Sequence, residues 1–302
     1  MQACKGRRIV LHIGFHKTGS SAVQANLAEF AAIYRERGLW VPEGLSRWTG
    51  HPELAWACCP EKFPWADRDF TLGEIADYYD ARRAEMPVDA TLLLTSEEYC
   101  RLNYYPGAIK AVREFFGDAD VTVFAYLREP LDFLISRYRH ELTHGEAMPL
   151  ERFLRYHLRS ADLSWRLEPW LEVFGADRVH ARLYDRKAFD GGSIINDFLG
   201  ALGIAPETSD FRQGEFSGAY PWLCEAWQKL NASNVDEAAR DAARQALYAA
   251  SRSFPQVDAM HCLLEPLDLA DLVPDLEDMS RRLQATVRNR CTLATAQISE
   301  AN

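Results

Sequence analysis

The sequence predicts an α/β fold, in which helices cover both faces of a central parallel sheet and the C-terminal third is helical. Short β-branched runs alternate with longer helical patterns over the first two-thirds of the chain, as expected for βαβ units. Polar clusters at His16–Ser21, Ser96–Glu98 and Arg128–Glu129 stand at the ends of three of these runs, and ligands of parallel sheets bind at the carboxyl ends of strands. From about residue 190 onward the pattern is helical.

The N-terminal part begins with a strand at 7–13, the apolar run RRIVLHI, and a helix at 20–38. Val23 and Leu27 recur at helical spacing in that helix, and Gly38 is a typical stop signal. A short strand is expected in LWVPEG. Residues 44–70, rich in Trp, Pro, Cys and His, are expected to be irregular.

The remaining elements continue the alternation, with Pro130 at a helical N-terminal position where its missing N–H costs nothing. We expect helices at 71–86, at 106–117 and after Pro130, strands at 90–98, 121–129 and 178–185, and a C-terminal amphipathic helix within 275–290. A glycine-rich turn is expected at 214–218. The chain is interpreted as one domain, 1–302, with an α/β core at 7–200 and mainly helical decoration at 201–302.

Composition excludes several classes of partner. The 302 residues carry a net charge of -10, which argues against broad nucleic-acid or anionic-membrane surfaces, since both need excess Lys and Arg. The chain has no apolar run near the ~18 residues of a membrane span. Seven scattered cysteines without C-x-x-C spacing favour reduced thiols and a cytoplasmic location. The sequence indicates no oligomeric state.

The segment GFHKTGSS follows the first strand and opens the first helix, the layout of an anion-binding loop. Lys17 supplies a positive charge, Gly19 allows a tight turn, and the candidate hydroxyl donors are Thr18, Ser20 and Ser21. In the P-loop of ATP and GTP enzymes, G-x-x-x-x-G-K-[ST], the lysine follows the second glycine. Here it precedes Gly19, so a different anion is indicated. An ordinary glycine-containing turn is the structural alternative.

A second candidate anion site lies in YLREPLDFLISRYRHEL. Arg128 ends a predicted strand, and Ser136 lies eight residues further, inside the next helix. An arginine fork with a serine hydroxyl suits a phosphate. Pairing of Arg128 with Glu129 or Asp132 is the alternative.

Together these two segments resemble the sulfotransferase superfamily, which uses 3'-phosphoadenosine-5'-phosphosulfate (PAPS). FHKTGSS is similar to its 5'-phosphosulfate loop, and LREPLDFLISRY to its 3'-phosphate element, R-[ED]-P followed by S-x-Y. The resemblance covers about residues 7–200 and implies a P-loop-like three-layer fold. It is nearer to bacterial and carbohydrate-type members, because Ala22 stands where others have an adenine-stacking tryptophan.

The resemblance implies roles for these residues. The 5'-phosphate would be held by the loop, and the 3'-phosphate by Arg128 and Ser136. Lys17 would stabilise the charge that develops as the sulfur–oxygen bond breaks. The product would be 3'-phosphoadenosine-5'-phosphate (PAP), and no metal is expected. The loop residues concerned are Lys17, Thr18, Gly19, Ser20 and Ser21.

Transfer to a hydroxyl needs a base, and LLLTSEEYCRL offers Glu97 and Glu98 at a predicted strand end. Because adjacent strand residues point to opposite faces, at most one should enter the cleft, and Glu97 is favoured. His16, inside the loop, is a rival that could instead steady charge, and His51 is a third option. Solvated glutamates are the structural alternative.

The stretch RHELTHG contains H-E-x-x-H, the helical zinc motif of metalloproteases. The same helix carries Ser136 directly after Arg128, and Arg137 and Arg139 disfavour a dication, so surface histidines are preferred.

The predicted function is therefore PAPS-dependent transfer of a sulfuryl group to a hydroxyl of a carbohydrate or small metabolite, by in-line displacement. Trp48, Trp56 and Trp65 are candidate stacking residues for such an acceptor, Ser217 a candidate nucleotide contact, and Trp222 and Trp227 are expected in the core. The rivals are a P-loop kinase using ATP and magnesium, and a non-catalytic nucleotide-binding protein.

Overall fold

Five parallel strands form the central sheet of the computed structural model, which describes residues 6–82, 85–87, 89–207, 221–251, 264 and 267–290. The strand order is β2-β3-β1-β4-β5, so β1 lies in the middle. This confirms the α/β fold class with a parallel sheet. The strands are β1 Arg8–Ile13, β2 Leu39–Trp40, β3 Thr91–Ser96, β4 Asp120–Leu127 and β5 Val179–Leu183.

The order brings the three polar clusters to one edge of the sheet. β1 pairs with β3 on one side, with Ile13 opposite Ser96, and with β4 on the other. The carboxyl ends of β3, β1 and β4 are therefore neighbours, as the sequence predicted. Both faces of these strands are buried, which explains why their sequences are continuous apolar runs.

Helices flank the strands in the order that the sequence pattern predicts. The predicted helix at 20–38 is divided in two at Phe30, and the predicted irregular stretch at 44–70 contains one short helix, α3. The helices from β1 to β4 are α1 Ser20–Glu29, α2 Ala31–Glu36, α3 Glu53–Cys58, α4 Leu72–Ala81 and α5 Ala108–Phe116.

The predicted strand at 90–98 ends at Ser96. Residues Glu97–Tyr104 form a 3-10 helix instead, and the Ser96 hydroxyl accepts a hydrogen bond from the Glu98 backbone N–H at 3.1 Å. Because a helical turn begins at Glu97, the alternation of a strand does not set the directions of the two glutamates. This difference between prediction and structure changes which groups Glu97 and Glu98 contact at the end of β3.

The chain divides into two compact units. The first contains the sheet and comprises Met1–Arg128, Ser164–Gly214 and Gln284–Asn302; the second is Glu129–Leu163 with Glu215–Leu283. The interpretation of the whole chain as one domain stays a prediction. Further helices are α6 Pro130–Thr143, α7 Leu150–His157, α8 Leu163–Phe174, α9 Ile194–Ala201, α10 Pro221–Asn231, α11 Glu237–Ser251 and α12 Val273–Arg290.

The second unit packs its helices through buried side chains. The Asn231 side-chain amide donates to the carbonyl oxygens of Leu142 and Glu146, at 2.9 and 2.7 Å, and joins α10 to the end of α6. Trp227 on α10 is buried, as predicted for a core residue. The predicted turn at 214–218, Ser217 and the side chain of Trp222 lie outside the described residues.

Candidate functional site

The loop between β1 and α1 forms a tight turn that a hydrogen bond within the loop closes. The Thr18 hydroxyl donates to the Phe15 carbonyl at 2.5 Å, and Lys17 has a left-handed backbone, with φ of 64°. Non-glycine residues rarely adopt this conformation, and such outliers cluster at ligand sites. Gly19 follows with φ of 80° and opens α1, so the loop stands at a helix N-terminus.

Two glycines of this loop leave no space for a side chain. A Cβ at Gly19 would lie 2.6 Å from the Ile194 Cδ1 atom, and one at Gly14 would lie 2.8 Å from the Ser20 Cβ atom. The Ser20 hydroxyl is buried and has no hydrogen-bond partner among the described residues. Leaving a buried hydroxyl without a hydrogen bond costs about 1–3 kcal/mol of folding free energy. An anion that accepts a hydrogen bond from Ser20 would recover this free energy. Ser21 is exposed in the first turn of α1.

Arg128 connects the end of β4 to this loop. One guanidinium nitrogen, Nη1, donates to the Lys17 carbonyl at 2.9 Å. The guanidinium carbon also lies 5.2 Å from the centre of the Tyr184 ring. The two clusters that the sequence placed at separate strand ends are thus in direct contact.

Tyr184 is a site residue that the sequence reasoning missed. Its ring would lie 3.1 Å from a Cβ on Gly19, so it packs against the loop, and its hydroxyl accepts from Arg186 at 3.2 Å. The available signal was its position directly after β5, the strand beside β4. Tyr184 supplies a half-buried aromatic face next to Arg128.

Ser136 lies in the second turn of α6 and is half-buried. Ser136 belongs to the second unit, whereas Arg128 is the last residue of the first segment of the sheet-containing unit. The joint role of Arg128 and Ser136 stays a prediction.

Glu97 and Glu98 diverge at the end of β3. The Glu97 Oε2 atom lies 3.3 Å from Nδ1 of His16, in the anion loop. The Glu98 Oε2 atom instead accepts from the indole nitrogens of Trp56 and Trp65, each at 3.2 Å. The structure therefore brings Glu97 and His16 together next to Lys17, and engages Glu98 with the tryptophan-rich segment.

His16 contacts a carboxylate, a thiol and a guanidinium. Its ring contacts Glu97 and the Cys100 side chain, and Nε2 lies 3.5 Å from the Arg101 Nη1 atom. Burial lowers the pKa of His16, but the charges and hydrogen bonds of Cys100 and Glu97 outweigh burial and raise this pKa to about 10. The raised pKa favours the imidazolium form of His16, which fits the charge-steadying role better than that of a base.

Cys100 lies between His16 and a second cation. Arg166, which is 4% exposed, donates from Nη2 to the Cys100 carbonyl at 3.1 Å and to its Sγ atom at 3.3 Å. Burial raises the pKa of the Cys100 thiol, but the charges of His16 and Arg166 outweigh burial and lower it. No signal in the sequence pointed to Cys100 or Arg166, because they are 66 residues apart.

Two other sequence candidates have structural roles. His51 is buried, its Nδ1 accepts from the Thr95 backbone N–H at 3.0 Å, and its Nε2 lies 2.8 Å from the Pro42 carbonyl. Nδ1 therefore attaches the 41–52 segment to β3 and Nε2 bonds within that segment, so both ring nitrogens are engaged and neither is available to act as the base. Trp56 is 8% exposed and packs inside, so it offers no stacking face, whereas Trp48 and Trp65 are exposed.

The H-E-x-x-H histidines lie at the end of α6. The ring centres of His140 and His144 are 4.4 Å apart, and the His144 Nδ1 atom is 3.0 Å from the His140 carbonyl. Within the part of the chain that the structure describes, no group of three or more His, Cys, Asp or Glu side chains is arranged as a metal site. In the same part, no helix has the length and apolarity that crossing a membrane requires.

Comparisons with known proteins find a relative by sequence and a neighbour by structure. No protein-family model matches the chain. An uncharacterized protein of Archaeoglobus fulgidus is 30% identical over 122 residues, which are 40% of this chain and 33% of that protein. The chain thus spans about a third of the length of this relative. A crystal structure of a sulfotransferase from Alicyclobacillus acidocaldarius aligns with a TM-score of 0.45 and 19% identity, over 85% of this chain and 99% of that one.

Proposed function

We propose that this protein is a PAPS-dependent sulfotransferase that transfers a sulfuryl group to an acceptor hydroxyl. The observation that carries the proposal is the contact between the two motif segments, in which Arg128 donates to the Lys17 carbonyl. An anion loop and a strand-end arginine that meet in this way suit a nucleotide with phosphates at both its 5' and 3' positions.

The residues present fit such a nucleotide. The Ser20 hydroxyl is buried without a hydrogen-bond partner among the described residues, and the loop stands at the N-terminus of α1; both features suit a phosphate. The backbone and hydroxyls of Thr18–Ser21 would hold the 5'-phosphate, and Arg128 with Ser136 the 3'-phosphate. Tyr184 would lie against the base or ribose. When bound, PAPS supplies an activated sulfuryl group on a phosphate leaving group.

The chain's own groups would then do three things. The Glu97 carboxylate accepts the proton of the acceptor hydroxyl at Oε2 or Oε1. The Lys17 ammonium holds a positive charge beside the loop, where the leaving phosphate gains negative charge. The His16 imidazolium, 3.3 Å from Glu97, adds a second fixed positive charge. We therefore assign Glu97 as the base, His16 as an electrostatic group, and Glu98 as a structural residue.

Calorimetric titration with PAP, run beside ATP with magnesium, tests the donor without knowledge of the acceptor. We expect PAP to bind with micromolar affinity and to lose this binding in Arg128→Ala, because that variant removes the fork next to the loop. ATP should show no comparable binding. Binding of ATP but not of PAP would replace this proposal with the kinase alternative.

The Glu97→Gln variant separates an enzyme from a binding protein. It keeps the shape of the side chain and removes its basicity, so we expect PAP to bind normally and transfer to be lost. Equal turnover of labelled PAPS by the parent and the variant would exclude Glu97 as the base.

A further inference from the structure

Arg166 is a buried cation whose charge needs a counter-ion. It lies on α8 in the sheet-containing unit and is 4% exposed. A guanidinium stays protonated in proteins, so burial does not neutralise it. Within the described part of the chain, no carboxylate forms an ion pair with Arg166. Because fully buried arginines occur almost only with a partner of opposite charge, another group must supply the negative charge.

The contacts of Arg166 include one atom that can carry that charge. Nη2 donates to the Cys100 carbonyl at 3.1 Å and to the Cys100 Sγ atom at 3.3 Å. The guanidinium carbon also lies 5.1 Å from the Phe15 ring centre and 5.5 Å from the Tyr104 ring centre. A carbonyl oxygen and an aromatic face attract a cation but have no net charge. The Cys100 sulfur, by contrast, becomes an anion when it loses its proton.

A second basic group faces the same sulfur. His16, in the anion loop, hydrogen-bonds to the Cys100 side chain, which is completely buried. Glu97 lies near Cys100 as well, and its negative charge acts against a thiolate. Burial raises the pKa of the Cys100 thiol, but the charges of His16 and Arg166 outweigh both burial and Glu97 and lower this pKa. Two cations from separate segments, the anion loop and α8, therefore favour an anionic sulfur.

Cys58 shows the opposite behaviour at a comparable depth. It is buried at the end of α3, in the same unit as Cys100. Burial, followed by the charge of Cys59, raises the pKa of Cys58 to about 12. Because Cys58 and Cys100 are both buried, the opposite directions of their pKa shifts follow from the charges beside them. Cys58 is therefore a matched reference for the charge state of Cys100.

We propose that Cys100 is a thiolate in the folded protein and acts as a positioning residue that holds the charged His16 ring beside Glu97. Arg166 supplies the positive charge that stabilises the buried thiolate, and the thiolate attracts the imidazolium. The guanidinium of Arg101, 3.5 Å from the His16 Nε2 atom, repels that imidazolium, and the thiolate offsets this repulsion. Arg166 thus acts on the His16–Glu97 pair through Cys100. The inference rests on the proposed function only for its effect on transfer.

Ultraviolet absorbance of the full chain, measured against pH, tests the thiolate directly, because a thiolate absorbs where a thiol does not. Subtraction of the Cys100→Ser titration from that of the parent isolates one sulfur among the seven cysteines. We expect this difference to show a thiolate that titrates well below about 8.5, the ordinary thiol pKa. Subtraction of Cys58→Ser is the control and should show no thiolate in that range. A Cys100 thiolate that forms only at or above about pH 8.5 would overturn the inference.

NMR titration of the His16 ring in Arg166→Met tests the positioning role through the sign of a pKa change. Removal of a cation ordinarily raises the pKa of a nearby histidine, because it removes repulsion. If Arg166 acts through the Cys100 thiolate, Arg166→Met protonates the sulfur and instead lowers the pKa of His16 by about 1–3, the effect of one neighbouring charge. Arg166→Lys keeps the charge and should stay nearer to the parent.

The double variant Cys100→Ser/Arg166→Met is the control for this sign. Without the thiolate, the change at Arg166 should not lower the pKa of His16 below its value in Cys100→Ser. A His16 pKa that rises or stays unchanged in Arg166→Met would overturn the positioning role. The absorbance measurement needs no change at Arg166, so it decides the inference even if variants at this buried position do not fold.

Neither the absorbance nor the NMR titration uses a nucleotide, so this inference and the proposed function can fail separately. A Cys100 thiolate that controls His16 in a chain that binds no PAP would leave the inference standing and end the sulfotransferase proposal. PAP binding by a chain in which Cys100 is an ordinary thiol would do the reverse.

Discussion

The two sides of the anion loop are built in different ways. The loop side, comprising Lys17–Ser21, Arg128 and Tyr184, depends on backbone: left-handed residues, a helix N-terminus and glycines without space for a Cβ. The glutamate side, comprising His16, Glu97, Cys100 and Arg166, is a cluster of titratable and charged side chains from three separate segments. An anion loop built from backbone is encoded by neighbouring residues and therefore gives a short sequence motif. A cluster of side chains from distant segments gives no such motif.

This difference predicts that the two sides can be inactivated separately. Glu97→Gln should cause the largest loss, about 10²–10⁴ in turnover, the range of general-base catalysis, with unchanged PAP affinity. The rate of transfer from labelled PAPS and a PAP titration measure the two quantities. Glu98→Gln is the matched control and should lose less, because Glu98 binds two indoles. A greater loss in Glu98→Gln than in Glu97→Gln would reverse our assignment.

Lys17→Met should also lower turnover, because Lys17 lies inside the loop where the leaving phosphate gains negative charge. We expect turnover to fall on the order of 10²–10³, the size of one charge contact in the transition state. Single-turnover rates at saturating PAPS isolate this effect from binding. A variant with normal turnover and only a weaker PAPS affinity would show that Lys17 binds the ground state alone.

Tyr184 tests whether the loop side extends to β5. Tyr184→Ala should weaken PAP about tenfold, because base–aromatic stacking contributes roughly 1–3 kcal/mol. Tyr184→Phe keeps the ring and should retain most of the affinity, as calorimetry would show. Equal PAP affinity in the parent and in Tyr184→Ala would limit the nucleotide site to the loop and Arg128.

The glutamate side should respond to pH through His16. Because the folded-state pKa is raised from 6.5 to about 10, protonation of His16 stabilises the fold fully below pH 6.5, and this contribution is lost as the pH rises through about 10. We expect the free energy of unfolding in urea to fall between pH 8 and 10 more in the parent than in His16→Gln.

NMR titration of the His16 ring gives an independent reading of the same cluster. Cys100→Ser should lower the pKa of His16, since the charge and hydrogen bond of Cys100 help to raise it. Cys224→Ser, at a buried cysteine of the second unit, is the control and should leave it unchanged. An unaltered His16 titration in Cys100→Ser would mean that Glu97 alone holds the imidazolium.

The sequence by itself determined the α/β class, the strands and the anion loop, because each depends on residues close together in the chain. Apolar runs indicated buried parallel strands, and GFHKTGSS showed its glycines and lysine within eight residues. The sequence also placed polar clusters at the ends of three strands, and the structure makes the ends of β3, β1 and β4 neighbours.

Only the tertiary structure decided how the side chains of the site divide their roles. The end of β3 at Ser96 starts a 3-10 turn, which sends Glu97 to His16 and Glu98 to two tryptophans. Strand alternation predicted that the two glutamates diverge, but it could not predict the 3-10 turn or the partners that each glutamate contacts. Cys100 and Arg166 join the cluster by packing between distant segments, because ionic contacts depend on distance in space and carry no local pattern.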